Sequence, residues 1–202
     1  MARVQLDAFP EDLPVVVPSA SCAGLLKVEL PALFAQTADA ERAQAFAARV
    51  VELTDVLVRV LELRPQDLGP PLKVAVHNCC SARRELRVAP ATLELLGRVA
   101  NLEAVEPDHA QECCGFGGTF AVKQPEISAA MAADKARSVA ATGAEVLAGQ
   151  DCGCLMNLGG TLAHLGPGMA VKHIAELLWE RTGGGEGVKE GGLAHVRQSD
   201  ES

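Results

Sequence analysis

Apolar positions along the chain alternate between short β-branched runs and longer stretches of helical period. Val15-Val16-Val17, closed by Pro18, reads as a buried parallel strand. Ala23–Phe34 is expected to be helical after a serine-rich turn that holds Cys22. Ala38–Leu63 is predicted as one long helix, because Phe46, Val50, Leu53, Leu57, Val60 and Leu61 recur at spacings of three and four. The charges between Glu41 and Glu62 then fall on a solvated helix face. Pro70-Pro71 ends a linker over Pro65–Pro71, and Leu72–His77 (LKVAVH) is the second strand. Pro90 opens a helix to about Val99, and Leu102–Val105 is a third strand. Pro125 opens an alanine-rich helix to about Thr142, stopped by Gly143. Glu145–Ala148 is a fourth strand, Leu155–His164 a helix, Ala170–Lys172 a fifth strand and His173–Arg181 a last helix. The glycine-rich, charged stretch 183–202 reads as disordered.

Strands alternating with helices predict an α/β fold, a parallel sheet flanked by helices. In such sheets ligands gather at the carboxyl ends of the strands. A weak internal repeat, Val15–Ala23 against Leu147–Leu155, places an apolar strand, a small-residue turn, a cysteine and a helix in both segments. It divides the chain into a partial unit over 1–65, a complete unit over 66–182 and the tail.

The cysteines decide what gathers at that edge. There are seven, at 22, 79, 80, 113, 114, 152 and 154. The odd number, the vicinal pairs and the absence of an export signal fit metal or redox chemistry in a reducing cytoplasm better than a disulfide framework. Cys80 is separated by 32 residues from Cys113-Cys114, and Asp151-x-x-Cys154 follows the alanine-rich helix. Thiolates are the usual protein ligands of iron–sulfur clusters, and a cluster's negative charge calls for backbone N–H donors. Gly115, Gly117 and Gly118 permit the close backbone approach that supplies them. The net charge of −8 excludes a basic nucleic-acid surface, and no apolar run is long enough to span a membrane. Gly115-x-Gly117-Gly118 lacks the spacing of a dinucleotide fingerprint.

Glu112-Cys-Cys-Gly-Phe-Gly-Gly-Thr-Phe-Ala-Val-Lys-Gln-Pro-Glu-Ile-Ser, with Cys80 before it and Asp151-Cys-Gly-Cys-Leu-Met-Asn after it, resembles the cysteine-rich CCG domain. That domain occurs in heterodisulfide reductase, in the iron–sulfur subunits of glycolate oxidase and anaerobic glycerol-3-phosphate dehydrogenase, and in lactate utilization protein A. The last branch is the most similar, through the seventeen-residue central segment, Lys172-His-Ile-Ala-Glu-Leu-Leu and Pro18-Ser-Ala-Ser-Cys. The resemblance covers Val15 to about Arg181.

It implies one complete CCG domain and a partial pseudo-repeat short at its N-terminus. It also implies a 4Fe-4S cluster, of the noncubane kind in the heterodisulfide reductase branch, with Cys80, Cys113, Cys114 and Cys154 as metal ligands. The role implied is electron transfer in a complex that oxidises L-lactate to pyruvate. Two partner subunits, one ferredoxin-like, and a small 2-hydroxy acid substrate belong to that expectation. Three departures stand out. Asp151 replaces a cysteine of the general pattern, so that Asp151 or Cys152 is expected to complete the site. Cys79 stands where relatives have serine, with Cys80 the better aligned of the two. Of the first domain's cysteines only Cys22 is present.

Other residues admit plain readings beside functional ones. His77 and His173 end strands, as ligand, donor or proton shuttle, or as rim residues. Arg83, Arg84 and Lys123 can face the site or solvent. Asn157 is expected to support the loop and Phe116 to pack over it. The rival to the redox reading is a structural zinc module, since four thiolates satisfy tetrahedral zinc. The chain lacks the paired CxxC knuckles usual for zinc. A related oxidoreductase acting on glycolate, glycerol 3-phosphate or heterodisulfides is the other alternative.

Overall fold

The computed structural model describes residues 2–9, 12–166 and 168–183. All but the first residue of the tail expected to be disordered lies outside them. Helix α1 (Ala2–Ala8) precedes strand β1 (Val15–Val17). A continuous helical rod follows: α2 (Ala20–Gly24), a π-helical segment (Leu25–Glu29) and α3 (Leu30–Phe34). Then come α4 (Ala40–Arg49), β2 (Val50–Glu52), α5 (Leu53–Asp55) and a second π segment, Val56–Val60. The second half runs β3 (Leu72–His77), a π turn (Ser81–Glu85), α6 (Ala89–Gly97), β4 (Leu102–Val105), α7 (Thr119–Lys123) and α8 (Pro125–Ala141). It closes with β5 (Val146–Gly149), α9 (Cys152–Leu165), β6 (Ala170–His173) and α10 (Ile174–Arg181).

The long helix expected over Ala38–Leu63 is broken. Helical periodicity continues through Val50, but Val50-Val51-Glu52 pairs in parallel with Val15-Val16-Val17. Both valines are β-branched, and Val50 is fully buried in the core of the first segment with Phe46 and Leu30. Tertiary pairing here overrides the local pattern. Glu52, expected on a solvated face, is buried for the same reason. Its carboxylate caps α5, accepting the N–H groups of Thr54 (2.8 Å) and Asp55 (3.3 Å).

The main sheet is parallel throughout, in the order β4-β3-β5-β6. Strand residues alternate between its faces. Ala75 and Leu147 meet α8 and α9 through Ala136, Val139, Leu155, Leu158 and Leu162. Val74, Val76, Val146 and Ala148 meet α6 and α10 through Leu95, Leu96, Ile174 and Leu177. The chain leaves β3 toward β4 by way of α6 on one face. It leaves β5 toward β6 by way of α9 on the other. The carboxyl ends of β3 and β5 therefore flank a topological switch point, where such sheets open a crevice. Among the described residues, no helix is long and apolar enough to cross a membrane.

The opposite end of the sheet is closed by an ion pair. Arg181 and Asp67 meet at 2.7 Å with side chains 6% and 0% exposed, and Arg181 also donates to the Pro70 carbonyl. Removing one partner strands the other. Arg181→Met is expected to cost about 3 kcal/mol, the lower end for a broken buried pair, read by denaturant unfolding at neutral pH. Arg181 holds the Asp67 carboxyl below its ordinary value of 3.8. The pair's contribution is thus complete above that value and is lost as pH falls through the lower folded value. The gap between wild type and Arg181→Met should narrow in acid.

Candidate metal centre

Each segment that delivers a sulfur does so from an element end. β3 stops at His77, and Asn78-Cys79-Cys80 turns off it into the π turn. Cys79 points into the core at 3% exposure, and its Sγ accepts the Ala82 N–H at 3.4 Å. Burial pushes its thiol up to about 12, so it stays protonated. Cys80 is half-buried and lies beside Cys113.

The Cys113-Cys114 loop enters from β4 and leaves through three glycines at positive φ, Gly115, Gly117 and Gly118. Gly115 has φ +84°, and a Cβ there would lie 2.5 Å from the Ser128 carbonyl oxygen. Its own carbonyl accepts Ser128 Oγ–H at 2.8 Å, which pins the loop to α8. Gly115→Ala is expected to destabilise by about 2 kcal/mol, from strain at a positive φ plus the overlap. Chemical denaturation beside Gly118→Ala, where a Cβ meets nothing within 4 Å, separates the two contributions. Asn157 supports the same loop, donating Nδ2–H to the Cys114 carbonyl at 2.8 Å.

The third segment leaves β5 at Gln150-Asp151 and enters α9 at once. Cys152 and Cys154 lie in that helix's first turn, earlier than the expected start at Leu155. Cys154 is buried and Cys152 exposed. Asp151 is the cap: Oδ1 accepts the Cys154 N–H at 3.2 Å. Oδ2 accepts the Ser21 N–H at 3.0 Å and the Ser19 hydroxyl at 3.1 Å. Burial works to raise this carboxyl, but the hydrogen bonds from Ser21, Cys154 and Ser19 prevail and hold it below its ordinary value. Asp151 thus clamps the Pro18-Ser-Ala-Ser-Cys segment onto the edge of the site. His173 adds to the clamp by donating Nε2–H to the Pro18 carbonyl at 2.9 Å. Cys22, on the same segment, is exposed.

The thiols form a connected row: Cys80 to Cys113, Cys113 to Cys114, Cys114 to Cys154. One ring nitrogen of His77 and the sulfurs of Cys114 and Cys154 all lie within 4.8 Å of one another. Hydrogen bonds from Cys114 and Cys80 and from the Gly115 N–H (3.4 Å) favour a thiolate at Cys113 and lower its pKa. The same bonds keep Cys80 and Cys114 protonated. The Phe116 N–H is directed at the Cys114 sulfur. This pocket of soft donors, ringed by backbone N–H groups, matches what a thiolate-held metal centre needs. His77 is 2% exposed, and neither ring nitrogen has a hydrogen-bond partner. Burial, then the Lys135 charge, pushes its pKa down to about 4, which leaves the neutral imidazole that ligates metals.

Four residues named in the sequence, Cys80, Cys113, Cys114 and Cys154, are brought together, and Gly115 supplies a donor to them. Gly117 and Gly118 shape the turn into α7. Phe116 lies over the helix entrance, where a Cβ on Gly153 would sit 2.6 Å from its ring. Arg84 is near enough to Cys80 to act on its thiol, and Arg83 pairs with Glu106. Lys123 is exposed. Lys135 escaped the sequence reading. It is 1% exposed on the buried face of α8 and donates Nζ–H to the His109 carbonyl at 2.8 Å. Its signal was there, since 128, 132, 135 and 139 form one helical stripe whose other members are small or apolar.

A family model for the cysteine-rich domain CCG matches residues 74–159, the span that carries β3, the Cys113-Cys114 loop and Cys154. Relatives named Lactate utilization protein A match far more of the chain. One from Shouchella clausii is 43% identical over 180 residues, covering 88% of this chain and 74% of the relative. One from Bacillus subtilis is 41% identical over 179 residues, covering 87% and 74%.

The chain belongs to the lactate utilization protein A family.

A further member of that family, from Geobacillus kaustophilus, is 44% identical over 179 residues, covering 87% of the chain and 74% of the relative. In this member of the lactate utilization protein A family, the segment matched by the cysteine-rich domain is the one that forms the main sheet up to α9.

Proposed function

We propose that the chain is an iron–sulfur electron-transfer subunit of a complex that oxidises L-lactate to pyruvate. The observation that carries this reading is the meeting of four sulfurs, from three remote segments, at the switch point of a parallel sheet. The relatives' name supports lactate as the source of electrons. Cys80, Cys113, Cys114 and Cys154 would hold a 4Fe-4S-type cluster, which when bound accepts and returns electrons one at a time. The Gly115 and Phe116 N–H groups offset negative charge on the sulfurs, and the α9 N-terminus adds a favourable dipole. Phe116, lying over the helix entrance, limits water. Asp151 orients the first turn of α9. Two partner subunits, one ferredoxin-like, complete the complex in the cytoplasm. Residues 1–65 form a CCG-like segment and 66–182 a complete CCG domain.

Anaerobically purified protein should be coloured, contain iron and acid-labile sulfide, and give an electron paramagnetic resonance signal. With the two partner subunits, L-lactate should reduce it. The same donor set also suits tetrahedral zinc, His77 with Cys114 and Cys154 being three convergent donors. A colourless protein with stoichiometric zinc would establish that reading instead. Reduction by glycolate, glycerol 3-phosphate or thiols, but not by lactate, would move the substrate within the wider family.

A further inference from the structure

His77 is a buried group beside the Cys114 and Cys154 sulfurs that the cysteine ligand set does not use. A buried imidazole ordinarily satisfies both ring nitrogens, because an unpartnered polar group in the interior costs about 1–3 kcal/mol. Even the half-buried His173 of this chain satisfies both: Nε2–H donates to the Pro18 carbonyl and Nδ1 accepts the Ala175 N–H at 3.1 Å. His77 has neither, although it is 2% exposed.

The neighbours that could have served it are otherwise engaged. Asp151 directs both carboxylate oxygens at Cys154, Ser21 and Ser19. Lys135 gives its ammonium to the His109 carbonyl. What faces a ring nitrogen of His77 is the pair of sulfurs of Cys114 and Cys154, all three atoms within 4.8 Å of one another. That clustering suits donors around a shared metal, and neither ring nitrogen makes a hydrogen bond to either sulfur. His77 is also held firmly. It is the last residue of β3 and pairs with Gly149 of β5, so backbone on both sides of the switch point fixes where its ring sits.

From this juxtaposition we propose that His77 is a direct ligand of the iron centre, an imidazole nitrogen acting beside the four cysteine sulfurs. The inference rests on the iron–sulfur reading above. A neutral imidazole adds no charge to the centre, whereas a thiolate adds one negative charge. Histidine ligation therefore raises a cluster's potential relative to cysteine ligation.

The test uses the full chain made anaerobically in a histidine auxotroph, with natural or ¹⁵N-labelled histidine. Iron and sulfide are assayed first, and pulsed electron paramagnetic resonance is then recorded on the paramagnetic state reached by redox titration. The expected result is a nitrogen modulation that changes from ¹⁴N to ¹⁵N frequencies on labelling. In His77→Cys it is lost while iron content stays at the wild-type level, and the midpoint potential falls. An iron-loaded wild-type protein without a histidine modulation overturns the inference and leaves the iron–sulfur reading standing. So does a modulation that persists in His77→Cys. A chain that takes up no iron fails at the assay, and the reading and the inference then fall together. The labelled wild-type measurement does not depend on how well the variant folds.

Discussion

Cys114→Ser should leave the chain folded and empty of iron. Cys114 is 2% exposed and sits in the middle of the row, in contact with Cys113 on one side and Cys154 on the other. Serine nearly preserves its volume, so the packing against α8 and α9 is little disturbed. The chemistry changes entirely, because a hydroxyl is a hard ligand that stays protonated at neutral pH, whereas a thiol bound to a soft metal loses its proton. Iron, sulfide and visible absorbance are expected at background, with the far-ultraviolet circular dichroism of wild type. Cys79→Ser is the control. Its sulfur faces the core and accepts the Ala82 N–H, so iron should remain. The expected cost is about 1 kcal/mol of stability, for a polar group placed among apolar neighbours. If Cys79→Ser loses the iron and Cys114→Ser keeps it, the assignment of the two vicinal pairs is reversed.

The central strands β3 and β5 were legible as short apolar runs buried on both faces, and the half-exposed edge strands β4 and β6 through the turns that bound them. β3 and β4 fall where the sequence put them, and β5 and β6 within a residue. β2 was not legible. Val50 and Val51 satisfy a helical stripe as well as a strand, and only the presence of β1 alongside decides between them. Glu52 was read as exposed, and Lys135 was passed over, for a related reason. A charged residue is read as exposed unless its partners are known, and theirs are backbone groups brought in by the fold. At the centre, the cysteines declared themselves through their pairing in sequence. His77 could be named but not weighed, since what singles it out is a lack of partners. The dual role of Asp151 was hidden too: one end caps α9, while the other holds a segment 130 residues away.

That dual role gives the second large effect. Asp151→Ala should destabilise the protein by about 3–5 kcal/mol, the sum of a lost helix cap and two lost charge-assisted hydrogen bonds whose donors are part-buried. The loss should be local as well as global. Amide exchange at Ser21, whose N–H loses its acceptor, should rise more than exchange at Ala20, which still donates to the Gln150 carbonyl at 3.1 Å. Asp151→Asn keeps one acceptor oxygen without the charge and should fall between alanine and wild type. Its iron content separates two uses of the carboxylate. With both oxygens committed to protein donors, the side chain positions Cys154 and the 19–21 segment, and the asparagine variant should load iron normally. If Asp151→Asn folds and exchanges like wild type but cannot hold iron, the carboxylate must turn from its donors to the metal on loading. Ser19 and Ser21 would then be released at that moment, and the first segment of the chain would report whether the centre is filled.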